Sequence, residues 1–294
     1  MKPCVLALGF FDGVHLGHGG LLTKARQQAD ALGLPAAALT FDRHPASYIS
    51  GCPTPLLNTV GERTALMREL YQIDCIHVLR FNEMLCNMPW ESFAKELLLE
   101  NFGAHHLICG HDYRFGAGGQ GDAQKLKEFC SREGIGFDCI EEIRLEGQAV
   151  SSTLIRKLLL DGATEKATRF LGHPHRLTGR VVDGRKIGRT LGIPTANLQI
   201  ATGILLPKKG VYAARAYFDN MCHVAVVNIG SRPTFEGHSI TIEPWLLDFE
   251  GDLYGRELRL ELHAYLRGEQ KFDSPQALRE EVLRNAETAR NLLK

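Results

Sequence analysis

A parallel-sheet α/β domain followed by a small antiparallel β-barrel with a C-terminal helix is the fold that this chain of 294 residues predicts. Three observations carry that reading. Over residues 1–162, short apolar runs alternate with longer helical patterns, which is the grammar of βαβ units. From Arg176 onward the helical patterns give way to strand-like runs divided by turn chemistry. The chain then closes on one amphipathic helical pattern. The length fits two ordinary domains, placed at 1–162 and 175–294 with 162–174 as their junction.

In the first half the strand candidates are Cys4–Leu8, Ala36–Phe41, Ile76–Leu79, His106–Cys109 and Gly136–Ile140. The helix candidates are Gly20–Leu32, Gly61–Tyr71, Trp90–Asn101, Asp122–Arg132 and Ser152–Leu160. Strand and helix in alternation imply a parallel sheet covered on both faces, with ligands beyond the carboxyl ends of the strands. In the second half the strand candidates are Leu177–Val182, Ala213–Phe218, His223–Ile229, Ile240–Leu247 and Leu258–Tyr265. Asp219-Asn220 suits a tight hairpin between two of them. Ser274 as N-cap and Pro275 at the first helical position start the last helix, with Leu278, Val282, Ala286, Ala289 and Leu293 on one face.

Composition narrows the function classes. The chain is 44% hydrophobic and 23% charged, and basic and acidic residues balance at 34 each. That balance argues against an electrostatic grip on nucleic acid, and no apolar run approaches membrane-spanning length. The start has no signal-peptide layout. The eight cysteines are scattered without zinc or redox spacing, so they read as reduced thiols in a cytoplasmic protein.

The stretch that organises the rest is Gly9 to Leu22, GFFDGVHLGHGGLL. A buried strand feeds a Gly-rich turn at the start of a helix, where free N–H groups and the helix dipole favour phosphate. His15 and His18 add imidazole donors. The pattern reads as a nucleotide triphosphate site; two surface histidines on a tight turn is the plain alternative. A second helix start lies in VSSTLIR, Val150–Arg156, with the hydroxyls of Ser151, Ser152 and Thr153 and the cation of Arg156. In the second half, glycines at 179, 184, 188 and 192 allow close backbone approach to a ligand or mark barrel corners. The block Pro194–Asn197, PTAN, offers a hydroxyl and an amide oxygen of the kind Mg²⁺ accepts, and is also a plausible polar turn.

Taken together, GFFDGVHLGH, TFDRHP at Thr40–Pro45, GHDYRFG at Gly110–Gly116 and VSSTLIR resemble the nucleotidylyltransferase superfamily. More narrowly, they resemble the FMN adenylyltransferase module of prokaryotic bifunctional riboflavin kinase/FAD synthetases. The pattern from Gly179 to Leu198, then GVY at Gly210–Tyr212, NIGSRPTF at Asn228–Phe235, DLYG at Asp252–Gly255 and LRGEQKF at Leu266–Phe272 resemble riboflavin kinase. This resemblance implies a Rossmann-like nucleotidylyltransferase domain joined to a riboflavin kinase-like barrel. It also implies ATP, riboflavin and FMN as substrates, FAD as product and Mg²⁺ as cofactor.

By the same resemblance, His15 and His18 hold the phosphates in adenylyl transfer. Gly9, Phe10, Asp12, Gly17, Ser152, Thr153 and Arg156 bind the nucleotide, and Asp112 and Arg114 attend the flavin end. Thr40–Pro45 contributes His44 either to that site or to a structural turn. In the kinase half Glu243 is the base, Thr195 and Asn197 hold Mg²⁺ and ATP, and Gly184 and Gly188 cover the phosphates. One departure stands out: the family usually has E-x-H where this chain has Glu243-Pro244-Trp245, and the proline predicts an edge strand or a bulge. Basic residues common in the family are also missing at Ala117–Gln120. The alternatives are an enzyme that only adenylylates FMN, and a non-catalytic flavin or nucleotide sensor on the same fold.

Overall fold

The computed structural model describes residues 2–183, 192–234 and 237–294, with side chains outside 232–239. It divides into two compact units, Met1–Ser152 and Thr153–Lys294. The helix over Ser152–Asp161, placed by the sequence in the first domain, runs into the second unit from Thr153 on.

The first unit runs β1 (Cys4–Leu8), α1 (Leu16–Leu32), β2 (Ala36–Phe41), α2 (Pro45–Ser50), α3 (Val60–Tyr71) and β3 (Cys75–Leu79). It continues through α4 (Glu83–Cys86), α5 (Trp90–Ser92), a π-helical stretch Phe93–Asn101 that prolongs α5, and β4 (Ala104–Gly110). The short strands β5 (Arg114–Phe115) and β6 (Gly121–Asp122) lead to α6 (Ala123–Glu133), β7 (Gly136–Ile140), β8 (Arg144–Leu145) and β9 (Gln148–Ala149). The main sheet is parallel, in the order β3-β2-β1-β4-β7. β1 is buried at every position, as a central strand covered on both faces must be. Val5 and Ala7 pack with Leu22, Ala25 and Ala29 of α1. Leu6 and Leu8 pack with Phe93, Leu98 and Phe129 in the other layer. Strand order reverses between β1 and β4, where open α/β sheets leave a crevice for ligands.

The second unit holds α7 (Ser152–Asp161), α8 (Thr164–Leu171), β10 (His175–Val182), β11 (Asn197–Ile200), β12 (Gly210–Phe218), β13 (Met221–Thr234), β14 (Gly237–Leu246), β15 (Glu257–Arg267) and α9 (Pro275–Leu292). Its strands form one antiparallel sheet in the order β11-β10-β15-β12-β13-β14. The ends meet where the Ala196 N–H donates to the Pro244 carbonyl at 2.9 Å, so the sheet curls into a nearly closed barrel. Leu177, Tyr212, Val227, Leu258 and Leu260 are among the side chains that fill it. Asp219 and Asn220 take φ of 47° and 63° and join β12 to β13, as a two-residue hairpin with the twist of its strands requires. Ser274 caps α9 by accepting from the Ala277 N–H at 3.1 Å. The small residues Ala286 and Ala289 let that helix lie close on Val211, Ala213 and Val226.

In the second unit, two elements were absent from the sequence reading. The stretch taken as a junction contains α8, whose Thr164, Ala167, Phe170 and Leu171 are buried on one face; Gly162 and Pro174 on either side had disguised it as linker. β11 was not anticipated, because its four residues are too short for a periodic signal.

His175 opens β10 at 2% exposure. Burial first, then the neighbouring His173, lowers its pKa from 6.5 to about 4, against a bond to the Leu205 backbone. The unfolded chain therefore takes up this proton before the folded one does. The group's stabilising effect is complete above pH 6.5 and is lost as pH falls towards 4. His175→Gln should remove roughly 3 kcal/mol of that acid sensitivity, visible as a flatter fall of Tm on titration from neutral pH to pH 4.

Candidate functional site

In the first unit the site grows from the carboxyl end of β1. The chain beyond Leu8 is held by the Gly9 N–H, which donates to the Leu39 carbonyl at 3.2 Å. Phe11, Gly13 and Val14 then take φ of 58°, 82° and 44°. Positive φ is strained for an aromatic and still more for a β-branched residue, and such strain persists only where surroundings enforce it. Three groups do so. Asp12, 2% exposed, accepts the Leu57 N–H at 2.9 Å. Thr40 Oγ1 donates to the Phe10 carbonyl at 2.8 Å. Arg63 of α3, fully buried, donates to the Phe10 carbonyl at 2.8 Å and the Phe41 carbonyl at 2.7 Å. Its guanidinium also lies 4.4 Å from the centre of the Phe10 ring. Burial lowers the Arg63 pKa to about 10, Asp12 and Asp42 opposing it, so it remains a cation at neutral pH.

The strained turn delivers His15 to the N-cap of α1, where its Nδ1 accepts the His18 N–H at 3.2 Å. A neutral His15 must then carry its proton on Nε2. The two imidazoles stack, with ring centres 3.6 Å apart and planes 15° from parallel. Gly17 permits this, since a Cβ there would stand 3.0 Å from the His15 ring. Burial, then His15 and Arg63, hold the His18 pKa well below its ordinary value, and His18 Nδ1 is buried with no hydrogen-bond partner among the described residues. Ser152, first residue of α7, donates from Oγ to the Asp12 carbonyl at 2.9 Å. The helix start anticipated at VSSTLIR is thus moored to this turn, with Thr153 exposed and Arg156 half-buried further along α7.

β4 lies beside β1 in the sheet and leads into the Gly110–Gly116 loop. Asp112 there is exposed, and Arg114, equally exposed, pairs with Asp122 at 3.4 Å. His44 caps α2 by accepting the Ala46 N–H at 3.2 Å and meets the Phe10 ring edge-on at 4.6 Å, which is the turn role weighed for it.

In the second unit two cavities of about 400 and 420 Å³ lie on opposite faces of β14. Successive side chains on a strand point to opposite faces. Pro244 and Leu246 accordingly line the first cavity, with Gly192, Pro194, Asp252 and Tyr254. Glu243 and Trp245 line the second, with Asn228, Phe272 and residues of α9. Thr195 is the described residue common to both. Asn197, two positions on, begins β11 and is half-buried. Gly184 and Gly188 lie outside the described residues.

Pro244 leaves the strand regular. Residues 237–246 pair with β13 without a register shift, and β14 ends the sheet order, so it is an edge strand and not a bulge. On an antiparallel strand a residue's N and C=O point the same way. The Pro244 carbonyl bonds to Ala196, so its ring nitrogen faces β11 as well, where the β13 ladder loses no donor.

The sequence reading passed over Arg63 and Asn228. Arg63 looks like any arginine inside a helix, and Asn228 acquires meaning only from its pairing opposite Glu243. Arg63→Met would leave the Phe10 and Phe41 carbonyls without their donor. It should destabilise the first unit by about 2 kcal/mol or more, measured as a lower midpoint in urea.

A family profile for FAD synthetase matches residues 1–154, and one for riboflavin kinase matches residues 171–293. The bifunctional riboflavin kinase/FMN adenylyltransferase of Pseudomonas fluorescens is 36% identical, covering 99% of this chain and 93% of its own length. That of Listeria monocytogenes is 33% identical, covering 93% and 87%. A solved structure described as a macrolide-efflux protein from Streptococcus pneumoniae aligns with a TM-score of 0.88 at 28% identity, over 99% of this chain and 95% of that one. No described helix of this chain is long and apolar enough to cross a membrane. Two profiles in sequence, one per unit, and relatives matched along nearly their whole length give one conclusion: the chain belongs to the family of bifunctional riboflavin kinase/FMN adenylyltransferases, which phosphorylate riboflavin to FMN and adenylylate FMN to FAD.

Proposed function

We propose that phosphoryl transfer takes place at Thr195, with ATP in the cavity bounded by Pro244 and riboflavin in the cavity bounded by Glu243. The observation that carries this is the meeting of the two cavities at one side chain. In-line displacement needs both substrates to converge on one point from opposite sides. Glu243 accepts the proton of the riboflavin 5′-hydroxyl as its oxygen bonds to the γ-phosphorus, and the bond to the ADP oxygen breaks. The Thr195 hydroxyl and the Asn197 amide oxygen are neutral, hard donors that fit Mg²⁺ when phosphate oxygens and water complete the shell. When bound there the ion would neutralise charge on the phosphates.

Adenylyl transfer belongs, on this proposal, to the turn between β1 and α1. An FMN phosphate oxygen bonds to the α-phosphorus of ATP, and the bond to the leaving pyrophosphate breaks. The first-turn N–H groups of α1 and the stacked His15 and His18 supply donors to the phosphates. Gly9, Phe10, Asp12 and Gly17 shape that turn. Ser152, moored to that turn, attends the triphosphate, and Asp112 and Arg114 the flavin end. The cytoplasm is the compartment that suits eight free thiols.

Chromatography of flavins during incubation with riboflavin, ATP and Mg²⁺ tests both assignments. Glu243→Gln should stop FMN production yet still convert supplied FMN to FAD; normal phosphorylation would remove Glu243 as the base. His18→Ala should do the reverse, accumulating FMN while FAD formation drops about a hundredfold. An undiminished FAD yield would remove the histidine pair from the reaction.

A further inference from the structure

We infer that Trp245 is the surface on which the isoalloxazine ring of riboflavin stacks, and that it sets the kinase's preference for a flavin over smaller ribityl compounds. The inference rests on the assignment of the Glu243 cavity to riboflavin and adds to it the residue that reads the ring.

The cavity is polarised along β14. At one end Glu243 stands opposite Asn228, near Thr195. At the other end Trp245 stands opposite Val226, near Val211 and the α9 residues Leu278 and Val282. Glu243 and Trp245 share a face and lie about 7 Å apart along the strand. Riboflavin has the same polarity: a polyhydroxylated pentitol arm ending in the reacting hydroxyl, and a flat aromatic ring at its far end. With the hydroxyl at Glu243, the arm runs along β14 and the ring arrives at the indole.

The indole is pre-set for that contact. It packs against the cluster of Val211, Val226 and Ala286 beneath α9, yet remains half-buried because part of it lines the cavity. Phe272, a second aromatic lining residue, lies 5.5 Å from the Arg267 guanidinium, which is tied to Glu281 of α9 at 3.3 Å. Stacked aromatic pairs add affinity beyond buried area, and the flat indole loses little entropy on contact because its neighbours already hold it.

Initial rates of the full-length enzyme test the inference, with riboflavin and with a ribityllumazine as acceptors. Trp245→Ala should raise the KM for riboflavin about tenfold or more with kcat little changed. It should narrow the preference for riboflavin over the lumazine, and leave both the KM for ATP and adenylylation of supplied FMN as they were. Trp245→Phe should recover most of the affinity. A contact-range signature accompanies the kinetics. The chain has two tryptophans, so Trp90→Phe leaves Trp245 as its one indole, and in that variant bound riboflavin should have its emission quenched by electron transfer from the indole. Adding Trp245→Phe to Trp90→Phe should restore the emission, and this holds the test open if the alanine variant does not fold. An unchanged riboflavin KM in Trp245→Ala, or emission indifferent to Trp245, overturns the stacking role. Full kinase activity in Glu243→Gln overturns the assignment of the cavity itself and the inference with it. A dead Glu243→Gln beside an unchanged Trp245→Ala sinks the stacking role alone.

Discussion

One hydrogen bond, from the Ala196 N–H to the Pro244 carbonyl at 2.9 Å, organises the kinase half. It joins the first and last strands of the sheet order, and in doing so sets the PTAN block beside β14. Thr195 then borders the cavities on both faces of that strand. The remainder follows from the two-residue period of a strand. Neighbouring side chains cannot share a face, so a strand reading Glu-Pro-Trp-Leu presents a carboxylate and an indole to one cavity, a proline and a leucine to the other. The unusual proline fits this scheme because its carbonyl is what the closure needs, while its missing N–H is on the side where the β13 ladder asks for none.

The adenylyltransferase half solves a related problem with a buried cation. A turn holding Phe11 and Val14 at positive φ would relax unless its carbonyls and side chains were fixed elsewhere. Arg63 reaches from α3 to the carbonyls at the ends of β1 and β2, and Asp12 ties the turn to Leu57. The turn so held places His15 as the cap of α1, with the His18 ring stacked on it.

Much of this was visible in the chain before folding. Period-two and period-3.6 patterns gave the main strands and helices, and Asp219-Asn220 and Ser274-Pro275 punctuated them correctly. The misses have separate causes. α1 starts at Leu16 and not near Gly20 because an imidazole, an uncommon N-cap, accepts the capping bond. α8 is stabilised by one buried face and has a glycine and a proline close to its ends. His15, His18 and Glu243 could be singled out from motifs. That Asn228 stands across from Glu243, or that Arg63 supports Phe10, depends on register and packing that no local pattern encodes.

The electrostatics of the histidine pair carry the argument one step further. His18 is pushed towards its neutral form by burial, by His15 and by Arg63, so in the free protein the turn withholds charge. On the proposed assignment of this turn to ATP, a triphosphate would reverse the balance, its negative charge favouring the protonated ring. It would also offer a partner to His18 Nδ1, which is buried without a hydrogen bond among the described residues. On the same assignment, developing charge on the leaving pyrophosphate would strengthen that interaction, which is how a site stabilises a transition state more than its substrate.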